Sequence, residues 1–200
     1  TNNGIETLSK FFTLELAKEI KCERGKASVI TANNVFAHAD DLQGIVNGVK
    51  ELLSEDGVFI FEVSYLVDVF EKTLFDTIYH EHLAYHSVKP LIKFFESHEM
   101  ELIEVERVNT HGGSLRSVVQ LKNGPRPIGE SVEELAVLEE VLQLDNPATL
   151  MNFESNINKI KEDLTDVLNS IKAEGKTIAG FGAPAKATTL MYQFELGHEV

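Results

Sequence analysis

The sequence holds one cysteine, Cys22, in 200 residues, which excludes an internal disulfide and any metal site built from several thiolates. It has no amino-terminal apolar segment with basic flanks and no apolar run of membrane-spanning length. Neither secretion nor a membrane span is therefore expected, and the chain reads as cytoplasmic. Positive charge is scarce: 18 Lys and Arg stand against 32 Asp and Glu, a net charge of −14. Such a surface repels a phosphate backbone, and no basic stripe offsets it, which argues against nucleic acid and for a small-molecule partner. There is no internal repeat and no low-complexity tract.

What is present is a globular composition, 43% hydrophobic and 25% charged. With domains of about 100–200 residues, that supplies one ordinary core and part of another. Residues 5–20 set Leu8, Phe11, Phe12, Leu16 and Ile20 at helical spacing and predict an amphipathic helix. Residues 27–32 predict a buried strand opening at Asn33 and Asn34. Asp41 then caps a predicted helix that runs to Gly57, and residues 58–63 predict a second buried strand. Strand, helix, strand with short connections implies a right-handed parallel crossover and an α/β, doubly wound sheet. After an irregular stretch over 64–88, a helix is predicted at 90–98, followed by paired strands at 100–108 and 114–121. Two prolines and a glycine within 123–127 mark a domain boundary, separating residues 1–124 from 125–200. Beyond it come helices over 130–144 and 153–173, then strand, Gly-rich turn and helix start over 176–186, the opening of a second Rossmann-like unit. Both termini read as interior sequence, so the chain is expected to be part of a longer protein.

Chemistry concentrates in a few places. Tyr79-His80-Glu81-His82 packs four proton-handling side chains together; in extended backbone His80 and His82 face one way, Tyr79 and Glu81 the other. A histidine with an ordinary pKa of ~6.5 takes a proton near neutral pH, and a neighbouring carboxylate can orient it. The plain alternative is a loop of satisfied polar residues. A metal set drawn from His38, His80, Glu81, His82 and His86 is a third reading, although no established ligand spacing is met. Asn33, Asn34, His38, Asp40 and Asp41 lie just past the first strand, on the rim of the expected crevice. The turn at His111-Gly112-Gly113, with Arg116 beyond, offers backbone N–H groups and a cation to a phosphate or sugar oxygen, or is simply a hairpin turn. Gly180, Gly182 and Lys186 match a dinucleotide turn only loosely, because Ala185 replaces the third glycine and Pro184 interrupts. Glu133-Glu134 and Glu139-Glu140 read as a solvated helix face.

Four segments taken together resemble the deoxysugar C-methyltransferase family. They are Asn-Val-Phe-Ala-His-Ala-Asp-Asp-Leu (34–42), Phe-Asp-Thr-Ile-Tyr-His-Glu-His-Leu (75–83), His-Gly-Gly-Ser-Leu-Arg (111–116) and Gly-Phe-Gly-Ala-Pro-Ala-Lys (180–186). The resemblance spans nearly the whole chain in the expected order. It implies the second half of a Rossmann-like class I methyltransferase sheet, closing in an antiparallel hairpin, plus the start of a Rossmann-like C-terminal domain. The implied reaction moves a methyl group from S-adenosyl-L-methionine to C3 of a nucleotide-linked 4-keto-6-deoxysugar. By the same resemblance His82 is the base, with His38, Tyr79 and Glu81 orienting it or bonding the ketone. Asn33 and Asn34 become cofactor neighbours. His111, Arg116 and Lys186 are expected as substrate contacts, Arg116 and Lys186 because a sugar diphosphate needs cationic donors in an otherwise acidic chain. A zinc-binding domain and a glycine-rich cofactor loop are expected ahead of residue 1, so no zinc is expected within this chain. Two rivals stand beside this: a non-catalytic sugar-nucleotide-binding module, and a hydrolase built on a histidine-held metal.

Overall fold

The computed structural model describes residues 4–197. Helix α1 (Leu14–Arg24) starts later than the apolar spacing predicts, because the Thr13 hydroxyl accepts from Leu16 N at 3.3 Å and fixes the start. Ahead of it Ile5, Leu8 and Phe11 are exposed. Strand β1 (Ala27–Asn33) runs parallel to β2 (Leu53–Ser64), and α2 (Leu42–Leu52) crosses between them. Asp41 caps α2 as expected, accepting from Gly44 N at 2.8 Å. The helix stops at Leu52 rather than Gly57, since Leu53 already pairs with Ala27 across the sheet. Pairing with a neighbouring strand overrides helical periodicity there. Nor is β1 buried on both faces, as its apolar run suggests: Val29 is 56% exposed.

The sheet order is β1-β2-β4-β3, with β3 (Met100–Val108) and β4 (Ser114–Leu121) antiparallel and β4 antiparallel to β2. A parallel pair passing into an antiparallel hairpin is the arrangement the resemblance implies. The stretch after β2 is less irregular than expected: it contains α3 (Leu66–Glu71) and a single 3-10 turn at Phe75–Thr77, before α4 (Val88–Ser97). Then come α5 (Glu130–Val141), α6 (Pro147–Ala173) and α7 (Ala185–Phe194). Residues 176–181 form no strand. No described strand lies alongside to take their ladder hydrogen bonds, so the chain runs irregularly to Pro184. Among the described residues no helix is long and apolar enough to cross a membrane.

The core is aromatic. Phe36, Phe59, Phe61 and Phe95 pack with ring centroids 4.9 Å (Phe36 to Phe61), 5.4 Å (Phe59 to Phe61) and 5.6 Å (Phe61 to Phe95) apart. Helix α5 joins this core through Val132 and lies against β3 and α4. Glu133, Glu134 and Glu140 on it are exposed, as a solvated acidic face requires, but Glu139 departs from that expectation at 3% exposed. Its carboxylate accepts from the Tyr65 hydroxyl at 2.9 Å and from the first N–H groups of α4, Val88 at 2.5 Å and Lys89 at 3.0 Å. Those N–H groups have no partner within their own helix, and Ser87 supplies no side-chain cap. A carboxylate there meets the positive end of the helix. Burial first, and then the Glu139 charge, push the Tyr65 phenol far above its ordinary range, so it stays a donor.

His86 is also buried, 8% exposed, its ring 5.5 Å from that of Phe36 and its Nε2 without a hydrogen-bond partner. Burial pushes its pKa down to about 4, whereas an unfolded histidine titrates at ~6.5. Between those values the unfolded chain binds a proton that the folded chain refuses. Stability is therefore full above ~6.5 and drains by about 3 kcal/mol as pH falls toward the folded value. Urea unfolding from pH 7 to 4 is expected to show this loss in the wild type and a flatter profile in His86→Phe; parallel profiles would exclude His86 as the cause.

Candidate active site

A second, smaller cluster builds the site. Phe75 stacks on Phe194 of α7 at 4.9 Å, and Phe70 of α3 stacks on Phe153 of α6 at 4.8 Å. The Thr189 hydroxyl donates to the Ile78 carbonyl at 3.1 Å. These contacts seat α7 on the loop after the 3-10 turn, which carries Lys186 near its start to the Tyr79-to-His82 segment. A cleft of about 190 Å³ results, lined by Asn34, His38, Ser64, Tyr79, Glu81, His82, His111 and Lys186.

Seven of those eight lining residues were candidates on sequence grounds, and those seven come from four separate segments of the chain. The Tyr79-to-His82 segment is not extended, however: the His82 N–H donates to the Tyr79 carbonyl at 3.0 Å and closes a turn. The alternation expected for a strand is lost, so Tyr79, Glu81 and His82 all line the cleft while His80 is exposed away from it.

His82 Nδ1 lies 2.7 Å from the Thr77 carbonyl oxygen, and His38 Nδ1 lies 2.6 Å from the Glu81 carbonyl oxygen. A carbonyl oxygen only accepts, so in each neutral ring Nδ1 carries the hydrogen and the lone pair sits on Nε2. The two imidazoles are 4.9 Å apart, and the Tyr79 ring is 4.6 Å from that of His82. The site thus holds two imidazoles of fixed tautomer beside a phenol, a carboxylate and an ammonium group. Lys186 is the only Lys or Arg lining the cleft among the described residues. Such a set can take a proton from an acidic carbon or hydroxyl and stabilise the negative charge left behind.

Asn34 reaches the rim because its backbone is left-handed (φ 53°), a conformation asparagine tolerates, and its N–H donates to the Glu62 carbonyl at 2.9 Å. Asn33 ends β1 with its side chain exposed and does not line the cleft. Arg116 does not line it either: its guanidinium bonds Glu62 at 3.1 and 3.3 Å and Glu106 at 3.1 Å. The glycines beside His111 are structural. Gly113 (φ +153°) packs so closely that an added Cβ would fall 2.3 Å from the Asp68 Cβ, and its N–H already donates to the Thr110 carbonyl at 3.0 Å. Burial raises the Asp68 pKa, but hydrogen bonds from Arg107 and Lys72 outweigh it and hold that carboxyl below its ordinary value. Ser64, at the carboxyl end of β2, is the lining residue that sequence reasoning missed; its position after an apolar strand was the available clue.

His86 is buried against Phe36 and does not line the cleft, and among the described residues no three His, Cys, Asp or Glu groups are arranged to hold a metal ion. On the far side of His38 lies a larger hollow of about 550 Å³, lined by Phe11, Phe12, Asp40 and Asp41 among others.

Residues 109–200 match the C-methyltransferase C-terminal domain. Over 198 residues the chain is 33% identical to the C-methyltransferase NovU of Streptomyces niveus, covering 99% of this chain and 47% of that protein. The chain thus spans about half the length of the curated relative it matches. A SAM-dependent methyltransferase from Anabaena variabilis superposes with a TM-score of 0.44 at 15% identity, over 58% of each chain. Magnesium protoporphyrin IX methyltransferase from Synechocystis, with bound SAH, superposes at 0.38 and 10% identity, over 49% of this chain and 46% of that one.

Proposed function

We propose that the chain, similar over nearly its whole length to a C-methyltransferase, forms the base-carrying part of an enzyme methylating carbon in a nucleotide-linked 4-keto-6-deoxysugar. The supporting observation is the cleft that gathers His38, Tyr79, Glu81, His82 and Lys186. His82 takes the C3 proton on Nε2, the electron pair of the broken C–H bond moving toward the C4 ketone. Tyr79 donates to the ketone oxygen as it becomes an enolate, His38 helps to orient the base, and Glu81 balances the charge of the imidazolium. His111 and Lys186 contact the sugar diphosphate, a role for which Arg116 is less free because Glu62 and Glu106 already hold it. At about 190 Å³ the cleft suits the reacting ring alone, against ~300–1,000 Å³ for a whole small-molecule site.

The hollow beside His38 fits S-adenosyl-L-methionine in kind: Phe11 and Phe12 present rings to an adenine, and Asp40 adds a carboxylate suited to a ribose or a sulfonium. Asn33 and Asn34, at the carboxyl end of β1, belong to the same approach. When bound, this molecule supplies an electrophilic methyl group. The division at residues 124 and 125, between sheet and C-terminal segment, and a cytoplasmic setting remain part of this proposal.

The test supplies ¹³C-methyl S-adenosyl-L-methionine and a nucleotide-linked 4-keto-6-deoxysugar to the chain, alone and joined to a cofactor-loop half. A labelled methyl on C3 is the expected product. Label on oxygen, or no transfer by the joined protein, would overturn the reading.

A further inference from the structure

The carbonyl that anchors His82 is shared. Thr77 is 2% exposed, and its carbonyl oxygen accepts from His82 Nδ1 at 2.7 Å, from the Tyr85 hydroxyl at 2.9 Å and from the Tyr79 N–H at 3.1 Å. The Tyr85 ring stands edge-on to that of His82, centroids 6.1 Å apart. The backbone on either side of this contact is itself tethered. The Thr77 hydroxyl and N–H both donate to the Leu74 carbonyl, at 2.7 and 3.2 Å, and the N–H groups of Leu83 and Ala84 donate to the Ala37 carbonyl just ahead of Tyr85. Between these tethers, the Tyr85 hydroxyl joins His82 as a side-chain donor on the Thr77 oxygen, beside the backbone N–H of Tyr79.

We infer that Tyr85 is a positioning residue for His82: by holding the Thr77 carbonyl oxygen it keeps the imidazole in the Nδ1–H tautomer with the lone pair on Nε2. Three donors share one acceptor here, the Tyr79 N–H at 3.1 Å among them, so each weakens the others slightly. The Tyr85 hydroxyl therefore limits how strongly the carbonyl stabilises a protonated His82 while fixing where that carbonyl lies. Burial pushes the Tyr85 phenol up, which keeps it a donor. The catalytic consequence rests on His82 being the base proposed above; the tautomer does not.

Tyr85→Phe keeps the ring and removes only the hydroxyl. With ¹⁵N-histidine-labelled full chain, long-range ¹H–¹⁵N spectra are expected to show the Nδ1–H form of His82 in the wild type and a growing share of Nε2–H in the variant. In C3-hydrogen exchange, the variant is expected to lose roughly 3- to 10-fold in kcat, one hydrogen bond's worth, with KM little changed and the acid limb of the pH profile displaced upward. A wild-type spectrum showing Nε2–H, or identical spectra and pH profiles in both proteins, would overturn the inference. If the wild type fails to catalyse exchange, the base assignment falls, while the tautomer spectra still decide the role of Tyr85.

Discussion

His82→Ala is expected to slow exchange of the C3 hydrogen of a nucleotide-linked 4-keto-6-deoxysugar by about 10²- to 10⁴-fold, the usual worth of a positioned general base. The expectation follows from how the ring is held. Its Nδ1 is committed to the Thr77 carbonyl at 2.7 Å, so its one free lone pair is on Nε2, and the ring lies between Tyr79, His38 and Tyr85. Alanine removes the only atom of residue 82 that can accept a proton and leaves the turn intact, since that turn closes through backbone atoms. Proton NMR in D₂O reads the exchange directly, with the uncatalysed background subtracted, using the chain alone and joined to a cofactor-loop half. Equal rates in wild type and variant would remove His82 from the role. His38, whose Nδ1 is held in the same way, would then inherit it.

Glu139→Ala is expected to cost about 3–5 kcal/mol of folding stability, although residue 139 is remote from the cleft lining. Three donors lose their acceptor at once: the Tyr65 hydroxyl and the N–H groups of Val88 and Lys89. Each buried donor left unpaired costs about 1–3 kcal/mol, the partly exposed Lys89 N–H least because water can replace the carboxylate. Against a typical total of about 5–15 kcal/mol, that brings the variant close to unfolding. Urea denaturation measures it, and Glu139→Gln, which keeps an acceptor oxygen in place, should recover part of the loss. A cost under about 1 kcal/mol would mean that solvent reaches these groups and that the cap is dispensable.

The sheet was legible because its strands are short apolar runs separated by turn residues, and periodicity reports such burial directly. The paired strands joined through His111 to Gly113 fell where the sequence put them. The errors came where a local pattern met a distant partner. Leu53 continues the helical spacing of α2 but pairs with Ala27 instead. Glu139 has the look of a surface carboxylate until α4 supplies donors it can reach. At the site, residue types marked segments that the fold brings together, seven of the eight cleft-lining residues among them. The turn that brings Tyr79, Glu81 and His82 to one side was not legible, since its hydrogen bond runs between backbone atoms that any residues would supply. Tyr85 was missed for a similar reason: its partner is a carbonyl, which leaves no mark in the sequence.

The cap on α4 also fixes an order of events during synthesis. Val88 leaves the ribosome 51 residues before the carboxylate that will satisfy its N–H. At about 5–20 residues per second, α4 waits roughly 3–10 s with its first turn open to water and the Tyr65 hydroxyl unpaired. The β3–β4 hairpin, a local pairing, can form in that interval, but the layer above it closes only when α5 arrives. A nascent chain arrested between Leu121 and Glu139 would thus carry a formed hairpin under a frayed helix, and chaperone binding to such arrested chains should cease once α5 has emerged.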